Sequence, residues 1–209
     1  SLRTFARQLT VSRALLINDD LGAMGDLTAE FGRAAAQTEA ALMTAQIVDN
    51  PAMADGVSVF DASRGNVEAS GSLDQAGLTA ARLAMRNRKA LDGTTPIDAT
   101  PRYLLVAPDM ETDAEKLLAT IQPTKEADVN VFGGRLELLV EPRLPTGFAY
   151  VFADPARLPS LQYGYLASSP GVQIQRSESW NTLGLRFRAW LDFGAGWSDW
   201  RGAHKVPAA

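Results

Sequence analysis

Residues 25–48 have the sequence GDLTAEFGRAAAQTEAALMTAQIV, which is the strongest helical pattern in the chain. Apolar and small side chains recur every three or four positions, at Leu27, Phe31, Ala34, Ala35, Thr38, Leu42 and Ala45. This spacing predicts an α-helix with one apolar stripe. Asn50-Pro51 predicts where it ends. Such a helix would be roughly 35 Å long, which suits the spine of a domain.

Both helices and strands are expected after this helix. A second helix is predicted from about Leu73 to Ala90, with Ser72 as its N-cap. Tyr103–Val106 (YLLV) is typical of a buried strand. A third helix, capped by Asp109 or Thr112, is expected to continue through Ile121.

The remainder of the chain has β patterns. Residues 136–140 and 148–152 flank a Pro-Gly loop, so they are predicted to pair with each other. Residues 183–193 alternate strictly, which predicts a long, half-buried strand. One face would carry Leu185, Phe187, Ala189, Leu191 and Phe193, and should pack against the 25–48 helix. The other face would carry Arg186, Arg188 and Trp190. We therefore expect a mixed α+β protein.

Composition excludes several classes of function. The chain has 209 residues, enough for one large domain or two small ones. It has no cysteine, which excludes disulfides and thiolate chemistry. A net charge of −4 argues against a dedicated nucleic-acid binder. The apolar runs are too short to span a bilayer, so no membrane partner is expected.

The residues that could carry chemistry do not form a recognisable active site. The only histidine, His204, is the sixth residue from the C-terminus, in a segment that is expected to be exposed and mobile. The acidic cluster of residues 109–115 lacks the spacing of a calcium loop and suits a helix N-terminus. We therefore predict that the protein has no catalytic, cofactor-binding or metal site, that it needs no cofactor, and that it is not an enzyme.

Two groups of basic and aromatic residues are candidate inter-subunit contacts. Arg186, Arg188 and Trp190 belong to the residue types that subunit interfaces favour. Arg82 and Arg86, with Arg88 and Lys89, form a basic patch. That patch is either a solvated helix face, or an interface or inner-wall contact with packaged DNA.

The tryptophans leave a further alternative open. Trp180, Trp190, Trp197 and Trp200 all fall in the last thirty residues. Clustered aromatic rings can bind sugars, so a carbohydrate-binding or other interaction module is one interpretation. Core or interface packing is the other.

Several stretches together resemble the Mu-like major head subunit family of tailed phages. The matching segments are SRALLINDDLG (12–22), FGRAAA (31–36), NP (50–51), DG (55–56), PRYLLV (101–106), VNV (129–131), EPRL (141–144), FADP (152–155) and LDFGAG (191–196). The resemblance implies the Hong Kong 97-type capsid fold. It implies a peripheral domain of residues 1–60 plus 169–209, with a spine helix at about 25–48, and an axial domain of residues 61–168. The family's N-terminal arm and extended loop would precede the opening segment, and are expected to be missing or mostly cut away here.

The resemblance also implies a function. It implies a major capsid protein of a tailed phage or prophage, whose hexamers and pentamers build an icosahedral shell around double-stranded DNA. The shell would be the virion capsid, assembled in the host bacterial cytoplasm. A prohead protease, a scaffold and a portal are further candidate partners. An encapsulin-like shell protein shares the fold and stays open as an alternative.

Overall fold

The computed structural model of the protein describes residues 1–18, 23–68, 71–119, 134–179 and 183–207. Its helices are α1 (Arg13–Ile17), α2 (Ala23–Val48), α3 (Gln75–Arg86) and α4 (Glu111–Leu118). Its strands are β1 (Arg3–Val11), β2 (Pro101–Val106), β3 (Glu137–Val140), β4 (Phe148–Ala153), β5 (Leu161–Tyr165), β6 (Val172–Ser179), β7 (Gly184–Trp197) and β8 (Ala203–Pro207). The α+β composition is as predicted. Ile121, residues 129–131 and Trp180 lie outside the described residues.

The chain divides into two compact units. Unit 1 consists of Ser1–Ala45 and Tyr163–Gly196. Unit 2 consists of Gln46–Gln162 and Trp197–Ala209. Each unit contains a four-stranded sheet.

The sheet of unit 1 is organised around the 14-residue strand β7. β1 pairs antiparallel with β7 from Arg3↔Phe193 to Val11↔Leu185. β6 pairs antiparallel with β7, and β5 also neighbours it. At Gly184 the two backbones approach so closely that a Cβ atom would collide with the carbonyl oxygen of Val11. Only glycine therefore fits at this position without displacing β1.

The predicted apolar face of β7 is buried over part of its length. Ala189, Leu191 and Phe193 are buried, while Leu185 and Phe187 are only half-buried. Ala189 and Leu191 line a cavity of about 730 Å³. The α2 residues on its wall include five of the predicted stripe: Phe31, Ala34, Ala35, Thr38 and Leu42. The apolar face of β7 and the apolar stripe of α2 thus lie on the wall of the same cavity.

The sheet of unit 2 has the order β3-β2-β4-β8. Its main core combines α3 and α4 with one face of this sheet, and includes Leu78, Met85, Leu104, Val106, Ala114, Val151 and Val206. The predicted pairing of residues 136–140 with 148–152 is wrong. β3 pairs parallel with β2, and β4 pairs antiparallel with the other side of β2. A parallel neighbour requires a crossover, here the segment that contains α4, so closeness in sequence misled the prediction.

Two predicted helix starts also need correction. The N-cap of α3 is Asp74, whose side chain accepts from Gly77 N. Ser72 instead hydrogen-bonds to the Asp74 carboxylate at 3.1 Å. α4 follows a 3-10 turn at Pro108–Met110 and has no side-chain cap, so neither Asp109 nor Thr112 caps it.

Candidate functional site

Arg188 and Trp190 form a joint surface feature on β7 in unit 1. The guanidinium of Arg188 lies 5.2 Å from the Trp190 ring centroid, within cation–π distance. Its Nη2 also donates to Gln175 Oε1 across 2.6 Å. Arg186 is half-buried, and its buried Nε has no partner among the described residues. A planar cation fixed on an aromatic ring is well suited to contact another protein.

Arg82 and Arg86 lie on α3 in unit 2. Both line an open cleft of about 680 Å³, together with Arg102, Arg135 and Arg157. Arg86 Nη1 is 2.9 Å from Asp98 Oδ1, in an exposed ion pair. The two predicted groups of interface residues therefore belong to different units.

Arg88 does not belong to the basic patch that the sequence predicted. α3 ends at Arg86, so Arg88 lies beyond the helix and does not share a helix face with Arg82 and Arg86. Arg88 is only 6% exposed. Its Nη1 donates to Ala203 O across 2.9 Å and also to Arg201 O. Its Nη2 lies 3.0 Å from His204 Nδ1. Arg88 thus joins the end of α3 to β8.

His204 is not an exposed residue of a mobile tail. It is 1% exposed, because it lies on β8, which pairs with β4 through Val151↔His204. Its Nε2 is 3.0 Å from Glu68 Oε1. Arginine can only donate, so Nδ1 accepts from Arg88 and the proton of the neutral ring is assigned to Nε2. The ring therefore donates to the Glu68 carboxylate.

The electrostatics of this Glu68–His204–Arg88 cluster favour a neutral imidazole. Burial lowers the pKa of His204, and the Arg88 cation lowers it further, while the Glu68 carboxylate opposes the shift. Burial also lowers the pKa of Arg88, to about 10, against the influence of Asp199. Arg88 is still charged at neutral pH. The cluster contains no nucleophile, so its chemistry supports a role in holding β8 in place.

Two of the tryptophans are part of unit 2. Trp197 stacks on Phe152 at 6.1 Å and meets Phe60 edge-on at 5.5 Å. Its Nε1 donates to Gln46 O across 2.8 Å. Trp200 lies 5.0 Å from the Arg64 guanidinium. These rings are used in internal packing, which disfavours the carbohydrate-binding interpretation.

The acidic cluster has the predicted helical setting. Glu111 and Asp113 lie in the first turn of α4, where the helix dipole favours them. Asp113 forms an ion pair with Lys116 at 3.0 Å. The described residues contain no group of three side chains placed to hold a metal ion. Among the described helices, none is both long and apolar enough to cross a membrane.

Several solved structures have the same fold as this chain. The encapsulin of the holo-SrpI complex from Synechococcus elongatus has a TM-score of 0.63 at 9% identity, over 98% of this chain and 72% of that chain. The capsid of cyanophage P-SCSP1u has a TM-score of 0.63 at 11% identity, over 100% and 72%. A phage-related protein from Bordetella bronchiseptica has a TM-score of 0.56 at 16% identity, over 98% and 74%. The predicted Hong Kong 97-type fold is confirmed.

The chain belongs to the phage capsid protein family, whose model matches residues 1–206. No curated protein sequence matches it significantly. The predicted function as a phage major capsid protein is confirmed by the family match. Membership in this family implies a structural role.

The Glu68–His204–Arg88 cluster is the feature that sequence reasoning missed. Its members are separated by 136 and 116 positions, and no local pattern connects them. One signal was present, because β8 contains Ala203 and Val206, which are small or apolar and turn out to be fully buried. A short C-terminal strand could have been considered from these residues.

Proposed function

We propose that the protein is the subunit of an icosahedral shell of hexamers and pentamers that encloses double-stranded DNA. Its role is structural and non-enzymatic. Unit 1 is proposed as the peripheral domain, with α2 as the spine helix, and unit 2 as the axial domain. The boundaries then fall at 45/46, 162/163 and 196/197, in place of the expected 60/61 and 168/169.

The observation that carries this proposal is the uneven burial of apolar side chains. Of the 23 buried apolar residues that the structure describes, only four lie in unit 1: Val11, Ala189, Leu191 and Phe193. Unit 1 instead exposes several large apolar residues, namely Leu2, Leu9, Ile17, Tyr163, Leu166, Ile174 and Leu183. Where exposed apolar side chains adjoin one another, they mark a protein-binding surface. Neighbouring copies in a shell would cover it.

The contacts of such a shell would use the predicted residues. Arg186, Arg188 and Trp190 are proposed to contact a neighbouring copy through unit 1. Arg82 and Arg86 are proposed to contact a partner through unit 2. The other proposed partners are packaged double-stranded DNA, a prohead protease, a scaffold and a portal. Assembly would take place in the host bacterial cytoplasm.

Placing charge on the exposed apolar surface tests this proposal. The variant Ile174→Lys/Leu183→Lys should fold normally, because both side chains are exposed, at 38% and 75%. It should form far fewer shells than the unaltered full-length gene product. The control is Leu91→Lys in unit 2, where the side chain is 95% exposed. Sedimentation measures the yield of particles, and equal yields for both variants would contradict the proposal.

An encapsulin-like shell is the second candidate, because one similar structure is an encapsulin. The family match favours a phage capsid over it. A phage capsid and an encapsulin-like shell differ in what they enclose. Particles from phage-infected or induced cells should hold nuclease-resistant double-stranded DNA, whereas particles filled with protein and free of DNA would support the encapsulin alternative.

A further inference from the structure

We infer that unit 2 binds a second copy of the chain head to tail, with the basic cleft of one copy receiving the acidic end of the next. The basic cleft is the one lined by Arg82, Arg86, Arg102, Arg135 and Arg157. The acidic end is the segment after β2, with Asp109 and Glu111. This inference rests on the proposed function, since it names a contact by which copies would assemble.

The basic cleft lies at one end of the unit 2 sheet. Its wall includes Pro101 and Arg102, where β2 begins, and Arg135, just before β3 begins. Asp154 and Arg157 follow the end of β4, which is antiparallel to β2 and so ends beside its start, with Pro101 opposite Ala153. The lining thus contains five arginines and one acid, Asp154.

Three of the five arginines of the cleft are both exposed and outside the ion pair that Arg86 forms with Asp98. Arg102, Arg135 and Arg157 are exposed. Within the part of the chain that the structure describes, neither Arg135 nor Arg157 has an ion-pair partner. Converging guanidinium groups repel one another, so an open cleft of about 680 Å³ lined by five of them is best stabilised by carboxylates or phosphates.

The acidic end lies at the opposite end of the same sheet. β2 ends at Val106, and the chain then turns through Pro108–Met110 into α4. Asp109 and Glu111 are exposed there, beside the N-terminus of α4. β2 has six residues, so the two ends are about 20 Å apart. The acids therefore cannot reach the arginines of their own unit.

This arrangement favours a second copy as the occupant of the cleft. Opposite charges at opposite ends of one sheet can form ion pairs when copies join head to tail. Such a contact is heterologous, so it closes into rings or continues as a chain. Arginine forks bind carboxylates in pairs of hydrogen bonds. Nucleic acid is the rival ligand, but a net charge of −4 on the chain disfavours a polyanion over the protein's own carboxylates.

Charge reversal of both sides tests the inference. In the full-length gene product, Arg135→Glu/Arg157→Glu or Asp109→Lys/Glu111→Lys should each lower the shell yield by about tenfold or more, because like charges would then meet. The variant that carries all four changes restores opposite charges and should recover most of the yield. The control, Lys89→Glu/Lys116→Glu, changes the net charge as much as the first variant but lies outside the cleft, and should assemble normally.

The outcomes separate the alternatives. Folding of each variant is checked by its thermal unfolding as an unassembled subunit. Rescue by the four-fold variant supports the inference. Normal assembly of both double variants, or a folded four-fold variant that does not assemble, would overturn it. Loss of DNA binding at unchanged shell yield would assign the cleft to nucleic acid instead. Failure of the unaltered protein to form shells would overturn the proposed function, and this inference with it.

Discussion

His204 Nε2 lies 3.0 Å from Glu68 Oε1, which joins two residues 136 positions apart. The other ring nitrogen, Nδ1, is 3.0 Å from Arg88 Nη2. A proton on Nδ1 would face a permanent donor and a positive charge. The neutral ring, by contrast, satisfies both neighbours. His204 thus connects β8 to the segment before α3 and to Arg88, two residues after α3, in the protonation state that burial already favours.

Acid should weaken the folded state through His204. The pKa of the folded state lies below the ordinary value of 6.5, so the unfolded chain binds the proton more tightly. The contribution of His204 to stability is therefore complete above about pH 6.5 and is lost as the pH falls toward the lowered pKa. Urea denaturation should show less loss between about pH 7.5 and pH 5 for His204→Gln than for the unaltered protein. Identical pH profiles would contradict this account.

Arg88 and Arg86 should differ sharply in their effect on stability. Arg88→Met leaves the carbonyls of Arg201 and Ala203 without their donor, so a loss of about 3 kcal/mol or more in unfolding free energy is expected. Arg86→Met breaks only an exposed ion pair and should cost less than about 0.5 kcal/mol. Urea titration of both variants provides the measurement. Similar losses would mean that the Arg88 contacts do not stabilise β8.

Gly184 should tolerate no side chain, whereas Gly196 on the same strand should. A Cβ at Gly184 would collide with backbone atoms of Val11 and displace β1. Gly184→Ala should therefore cost about 1–3 kcal/mol. At Gly196 nothing lies within 4 Å, so Gly196→Ala should stay within about 0.5 kcal/mol. Hydrogen exchange should locate the change in β1, and an unchanged exchange rate there would argue against the β1–β7 register.

The two faces of β7 should separate folding from assembly. Phe193 is 1% exposed and stacks on Tyr163 with ring centroids 5.8 Å apart, so Phe193→Ala should cost about 3–5 kcal/mol. Arg188→Ala should cost the unassembled subunit under about 0.5 kcal/mol. It should nevertheless lower shell yield, because Arg and Trp are favoured interface anchors. Chemical denaturation of both variants measures stability, and sedimentation measures shell yield. Normal shells from Arg188→Ala would show that Arg188 is not part of the interface.

Periodic elements were predictable from the sequence. The 25–48 stripe predicted α2 to within two residues of its start, because a long amphipathic pattern has no competing interpretation. Strict alternation likewise located β7. Each of these two patterns depends only on residues that are close in sequence. The helix and the strand that they predict therefore form in the folded protein.

Contacts between distant segments were not predictable. The parallel pairing of β2 with β3 depends on a crossover, so the short Pro-Gly loop suggested the wrong partner for β3. His204 was expected to be exposed because of its position near the C-terminus, yet the pairing of β8 with β4 buries it. The pairing of β3 and the burial of His204 are both decided by strands more than 30 positions away. Single-sequence patterns carry no information about such distant partners.

Electron microscopy of the full-length gene product expressed alone tests directly whether the protein builds a shell. Closed, uniform shells are expected, in which neighbouring copies cover the apolar side chains that unit 1 exposes. A population of monomers or irregular aggregates, with no closed particles at any protein concentration, would contradict that expectation.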